Sequence, residues 1–250
     1  MADESYHRLL CEFRKRDNYA EVFRSALDEL ADKVDFDWVK SCKLIAFGTG
    51  NGEREMELAR RLLPNLRTFQ AVEPDPESVK ALRASFQDNR LPGVETSVVE
   101  TSLECWGGVD SPVDAVLLVS MLPHVHTVDR KAFFQKLMAK YLNPGGIVII
   151  VDNVCSIPSG YILLLERLGT PREDYGVVEK EMKDAGFRVV LSHDIIGTRD
   201  LSNPSDDVVK LISLLTDHNF DERQVRAAID DVFSQPNMDI STRKLAVFAK

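Results

Sequence analysis

The sequence predicts an α/β fold, a seven-stranded Rossmann-like sheet with helices on both faces and helical additions acting as a lid. Three observations carry that expectation. Short apolar runs alternate with amphipathic helical patterns along most of the 250 residues, the order that builds βαβ units. The apolar run 43–47 opens directly into the glycine-rich turn Gly48-Thr-Gly-Asn-Gly52. The next strand pattern, 68–73, closes on a carboxylate, Glu73. Strand, glycine turn, helix, strand and acid make a nucleotide-cofactor unit. The glycines let the backbone approach a ligand, and the acid can accept two ribose hydroxyl hydrogen bonds.

Residues 5–33 carry Leu9, Leu10, Phe13, Tyr19, Phe23, Leu27 and Leu30 at helical spacing, with Asn18 as a candidate cap between two helices. After the 43–47 strand comes a helix over 53–63, then the strand over 68–73. Pro74-Asp-Pro76 starts a helix running to Asn89, with prolines and acids where helix N-termini favour them. Residues 94–99 read as the third strand. Residues 112–119 are apolar enough for a strand buried on both faces, ending in Ser120-Met-Leu-Pro-His124. A helix over 129–141, a turn at Asn143-Pro-Gly-Gly146 and a strand over 147–151 follow. The pattern loosens over 152–175, with Pro158, Gly160, Gly169 and Pro171 around the apolar piece 161–165. A helix over 176–185 and a strand over 187–195 resume the alternation. Residues 198–235 are helical and polar, broken at Asn203-Pro204 and Asn219-Phe220, and 244–248 is the last strand. No repeat or low-complexity linker interrupts the chain. It therefore reads as one domain, 1–250, with lid elements at about 1–35, 153–175 and 198–240.

The third position of the turn decides which cofactor suits it. A dinucleotide fingerprint, G-x-G-x-x-G/A, needs a small residue where Glu53 stands, and a carboxylate there opposes a pyrophosphate. S-adenosylmethionine has an adenosine, a sulfonium and an amino acid but no phosphate, so it fits. The G-x-G-x-G spacing resembles motif I of class I methyltransferases. A net charge of −9 argues against a nucleic-acid partner and is compatible with a small cationic substrate. Cys11, Cys42, Cys105 and Cys155 are scattered, as in a reduced cytosolic protein without a zinc site. The polar start and the lack of a membrane-length apolar run lead us to expect a cytoplasmic protein with no membrane partner.

At the level of several motifs together, the chain resembles the histamine N-methyltransferase family from about Tyr19 onward. The residues that carry the resemblance are Tyr19-x-x-x-Phe23, Gly48-x-Gly50-x-Gly52-Glu53, Val72-Glu-Pro74, Glu100-Thr-Ser102, Met121-Leu122, Thr216 and Asn219-Phe220. The resemblance implies S-adenosylmethionine as cofactor and a small amine as acceptor. Gly48, Thr49, Gly50 and Gly52 would hold the methionine moiety, Glu73 with Pro74 the ribose, Ser78 and Ser102 the adenine side, and Val119 the ring or its linker. On the acceptor side it implies Tyr19, Phe23, Asp32, Ser120, His124, Tyr161, Phe220 and Ser241. Asp32 would hold a substrate cation, and the aromatic residues would box it.

Several of these positions depart from the family. Ser120 stands for a glutamine, Pro123 and His124 for two tyrosines, Tyr161 and Leu165 for two tryptophans, and Ser241 for an asparagine. The expectation is therefore a monomeric N-methyltransferase acting on histamine or a relative. The alternatives are another small acceptor or a non-catalytic cofactor-binding protein. Methyl transfer from a sulfonium to an amine is an in-line displacement governed by desolvation and alignment, so it needs no metal or covalent nucleophile. A base is useful because the amine must be deprotonated, and His124 is the candidate.

Overall fold

The computed structural model describes residues 6–33, 42–88, 91–157, 159–170, 173–216, 220–234 and 239–250. Asn89, Pro158, Pro171 and Asn219 lie outside the described residues. The strands are β1 (Cys42–Phe47), β2 (Leu66–Glu73), β3 (Glu95–Glu100), β4 (Val113–Val119), β5 (Leu142–Asn153), β6 (Arg188–Thr198) and β7 (Ile240–Ala249). They form one seven-stranded sheet in the order β3-β2-β1-β4-β5-β7-β6. The strands from β3 to β5 pair in parallel. Lys250 N–H donates to the Gly146 carbonyl and Val154 N–H to that of Thr242, an antiparallel relation between β5 and β7.

The helices are α1 (Tyr6–Arg14), α2 (Tyr19–Ala31), α3 (Glu53–Leu62), α4 (Pro76–Gln87), α5 (Thr127–Lys136), α6 (Gly160–Arg167), α7 (Tyr175–Asp184), α8 (Asp206–Leu215) and α9 (Glu222–Phe233). The break near Asn18 separates α1 from α2 as expected. The Asn18 carboxamide is engaged elsewhere, accepting the Thr198 N–H at 2.7 Å, while Asp17 accepts the Tyr19 N–H. The bounds of three strands differ for physical reasons. The turn 143–146 lies inside the span of β5: Leu142 pairs with Val113 and Ile147 with Ala115, so the intervening residues loop out of the ladder. Asp114 anchors that loop by accepting from Asn143 Nδ2 at 2.7 Å and from the Lys43 N–H at 2.9 Å. β6 and β7 also run beyond their apolar cores, because backbone pairing continues where the side chains turn polar.

The chain divides into two compact units. A sheet unit comprises Arg24–Asp152, Tyr175–Asp194 and Lys244–Lys250, and a helical unit comprises Met1–Phe23, Asn153–Asp174 and Ile195–Arg243. In the sheet unit, Leu44–Phe47, Ala115–Val119 and Ile147–Val151 are almost wholly buried, as central parallel strands covered on both faces must be. Phe47 meets Trp106 and Phe133 edge-on. The Arg130 guanidinium of α5 donates to both carboxylate oxygens of Glu181 on α7 within that core. The helical unit packs α1, α6, α8 and α9 around Leu9, Phe13, Leu164, Ile212, Val225 and Ile229. A reciprocal capping box between Asp221 and Gln224 starts α9. Among the described residues, no helix is long and apolar enough to cross a membrane.

Candidate functional site

The chain runs from β1 outward to β2 and β3, then returns to β4 on the other flank of β1. In sheets of this kind, ligands lie beyond the carboxyl ends of the strands at such a reversal. Those ends carry the turn after β1 and Ser120 after β4. Gly48, Gly50 and Gly52 all take left-handed backbone, with φ of 61°, 54° and 74°. A Cβ at Gly48 would lie 2.7 Å from that of Met121, and one at Gly52 would lie 2.3 Å from Leu82 Cδ1. At Gly50 nothing lies within 4 Å. The outer glycines are thus fixed by packing, and the middle one keeps the backbone open to a ligand.

The turn is held from the neighbouring strand. Gly48 N–H donates to the Val72 carbonyl at 2.8 Å, and Gly50 N–H donates to Glu73 Oε2 at 2.7 Å. Glu73 Oε1 accepts the Asp75 N–H at 3.0 Å, and the residue is buried. A carboxylate offers about four acceptor positions, so backbone donors and sugar hydroxyls can share it. Pro74 is exposed, and Asp75 caps α4 by accepting the N–H of buried Ser78 at 2.7 Å. Ser102 Oγ accepts the Cys105 N–H at 3.4 Å. The Ser102 hydroxyl is also the main reason the Glu104 carboxyl lies below its ordinary range. Val119 is buried opposite Val151.

Two further observations bear on what this end of the sheet could hold. Thr49 Oγ1 and Ser120 Oγ are buried without a hydrogen-bond partner among the described residues. A buried hydroxyl left so costs about 1–3 kcal/mol, which a polar ligand would recover. Ser120 also sits at φ 54°, the one non-glycine residue at positive φ among the described residues, with its N–H donating to the Val151 carbonyl at 2.7 Å. Second, α3 begins at Glu53 with a further acid, Glu55, in its first turn. Carboxylates there complement the helix dipole and oppose a pyrophosphate, as the sequence implied.

The acceptor-side residues divide between the units. In the sheet unit, Asp32 is exposed just past α2, Ser120 follows β4, and His124 ends a short 3-10 turn, Leu122–His124. In the helical unit, Tyr19 and Phe23 are buried and stacked, with ring centroids 5.5 Å apart. Tyr161 is half-buried beside Phe13, Phe220 is half-buried with its carbonyl accepting from Ser213 Oγ, and Ser241 is half-buried on β7.

Two arginines that the sequence reading passed over complete this picture. The Arg243 guanidinium carbon lies 3.7 Å from the Tyr19 ring centroid, and that of Arg199 lies 4.4 Å and 4.8 Å from Phe13 and Tyr161. Two of the rings expected to receive a substrate cation, Tyr19 and Tyr161, therefore already face the chain's own cations. A signal for Arg243 was present. On a strand of period two it shares a face with Leu245 and Val247, where a charge is out of place.

Residues 45–146 match a family described as methyltransferase domain. No curated protein matches the sequence. Among solved structures the chain is similar to a Bacillus halodurans protein assigned to the methyltransferases. Identity is 17%, covering 90% of this chain and 99% of that one, with a TM-score of 0.63. It is similar to coclaurine N-methyltransferase bound to N-methylheliamine and S-adenosylhomocysteine, at 14% identity over 90% and 72% of the chains, TM-score 0.56. It is also similar to the [4+2]-cyclase SpnF, at 16% identity over 91% and 81%, TM-score 0.58. At these identities the likeness shows the fold. The chain thus has the Rossmann-like fold of the class I methyltransferases, and its central residues 45–146 match the methyltransferase-domain family. The cofactor of that class is S-adenosylmethionine, and the turn, Glu73 and the unpartnered hydroxyls fit it.

Proposed function

We propose that this chain is an S-adenosylmethionine-dependent N-methyltransferase whose acceptor is a small amine or imidazole compound. The observation that carries the reading is the left-handed glycine turn tied to Glu73 through the Gly50 N–H. The amine acceptor is supported by the resemblance to the histamine N-methyltransferase family and by the N-methyltransferase among the similar structures. When bound, S-adenosylmethionine supplies an electrophilic methyl group and leaves as a neutral thioether. The work of the chain is then positional. Glu73 and Pro74 hold the ribose, Gly48 to Gly52 the amino-acid end, Ser78 and Ser102 the adenine side, and Val119 the ring. Ser120 faces the acceptor, and His124 takes the proton from its ammonium. Tyr19, Phe23, Tyr161, Phe220 and Ser241 select the acceptor, and Asp32 holds its cationic end. We further propose that 1–250 acts as one domain and as a monomer in the cytoplasm.

Calorimetry with S-adenosylmethionine and NAD in parallel tests the cofactor, and a methyl-transfer screen over small amines tests the acceptor. Binding of the first ligand alone, with turnover of an amine, is the expected result. Shortened polar arms at Ser120 and Ser241 and fewer aromatic walls should make histamine a poorer acceptor than larger imidazole amines. Histamine giving the highest kcat/KM would overturn that preference. Bound cofactor with no amine methylated would overturn the N-methyltransferase reading.

A further inference from the structure

Among the described residues, the helical unit holds two buried arginines and an uneven supply of counterions. Arg199, 4% exposed, donates to the Asp17 carboxylate at 3.0 Å. Burial, and next the charge of Arg243, push the Arg199 guanidinium below its ordinary range, so the two cations feel one another. Arg243, 7% exposed, is supported differently. Its Nε donates to a neutral group, Asn153 Oδ1, at 3.3 Å, and its guanidinium carbon lies over the Tyr19 ring. Its Nη1 is buried without a partner, and no carboxylate of the described residues forms an ion pair with it. Among the described residues, one carboxylate for two guanidiniums leaves one positive charge uncompensated. A buried charge without a counterion is strongly unfavourable, and an amide oxygen with a ring face offsets only part of that.

We infer that the acceptor carries a carboxylate and that Arg243 receives it. The inference rests on the methyltransferase reading above and narrows its acceptor to an amine that is also a carboxylic acid. A single uncompensated charge matches a monoanion, and a guanidinium fork matches the planar carboxylate in shape and donor spacing. The location agrees. Arg243 stacks on Tyr19 and lies two residues from Ser241 on β7, and both belong to the acceptor-side set. A carboxylate at Arg243 also accounts for a ring face covered by a fixed cation. The Tyr19 and Phe23 stack then borders the apolar body of the acceptor, and Arg243 binds its charged end.

The test compares matched ligand pairs on the full chain by calorimetry: imidazole-4-acetate against histamine, and phenylacetate against phenethylamine. Each carboxylate should bind at least tenfold more tightly than its amine partner. Two variants follow. Arg243→Gln removes the cation. Asn153→Asp places an internal carboxylate beside Arg243 with almost no change of shape, so it guards against a result caused by misfolding. Both should abolish the preference, and both should leave S-adenosylmethionine affinity unchanged. Amines binding as tightly as the acids, no binding of either acid, or a preference that survives Asn153→Asp would each overturn the inference and leave Arg243 a structural cation. The S-adenosylmethionine titration of the wild-type chain separates the two levels. If that titration fails, the methyltransferase reading falls, while the carboxylate titrations still decide the role of Arg243.

Discussion

Gly50 and Gly52 share a left-handed backbone, yet substitution should separate their roles. Gly52→Ala would drive a Cβ to 2.3 Å from Leu82 at φ 74°, so both strain and overlap oppose it. We expect a loss of about 2–4 kcal/mol in chemical denaturation. Gly50→Ala meets nothing within 4 Å and should cost only about 1–2 kcal/mol of stability, while weakening S-adenosylmethionine more than Gly52→Ala does at matched folded fraction. Glu73→Ala removes the acceptor of the Gly50 and Asp75 N–H groups together with the proposed ribose acceptor. Charge-assisted bonds are worth about 1.5–3 kcal/mol each. Calorimetry on the folded variant should therefore show at least a tenfold loss of cofactor affinity. Unchanged affinity would remove Glu73 from the ribose site.

Between elements, the Arg130–Glu181 pair joins α5 to α7 with both side chains at most 4% exposed. Breaking one half of such a pair leaves a buried charge and costs about 3–5 kcal/mol, whereas replacing both halves by apolar groups is often neutral. Arg130→Met should thus lower the urea midpoint sharply, and adding Glu181→Leu should restore most of it. A double variant no more stable than the single one would show that the pair contributes more than mutual neutralisation. The elements themselves were largely readable from apolar periodicity, because parallel strands buried on both faces leave continuous runs such as 115–119. The loop within β5 was not. Its Pro and Gly residues announce a turn, but the ladder resumes on the far side through Asp114, a contact between strands that no local pattern encodes.

For the molecule as a whole, burial of Cys42 in β1 gives stability a definite alkaline limb. Desolvation, and next the Asp114 charge, push its thiol from an ordinary value of 9.0 up to about 12. A raised folded-state pKa contributes stability that is complete below the unfolded value and lost as pH rises toward the folded one. Stability should therefore fall from about pH 9 toward pH 12, by up to about 1.4 kcal/mol per unit from this group. Cys42→Ala should flatten that part of the curve, measured by urea denaturation across the range. The glycine turn and its acid were legible at this scale, since the G-x-G-x-G spacing and the acid at the next strand's end are close in sequence. The arginine pair was not, since Asp17, Arg199 and Arg243 come from distant segments and only folding reveals that Asp17 pairs with Arg199 while Arg243 has no carboxylate partner among the described residues.

The hydrogen bond from Gly50 to Glu73 also has a bearing on rates. A turn of three left-handed residues would ordinarily sample many conformations, and a ligand would have to wait for the competent one. Here the protein's own carboxylate and the Val72 carbonyl already hold the loop in shape. Such preorganisation removes the ordering step from the encounter. Stopped-flow observation of cofactor association should then give a rate constant that rises linearly with concentration, with no plateau, and affinity differences among turn variants should show up mainly in dissociation. A Glu73 variant, having lost the tether, should instead reach a plateau set by the slow search of an untethered loop.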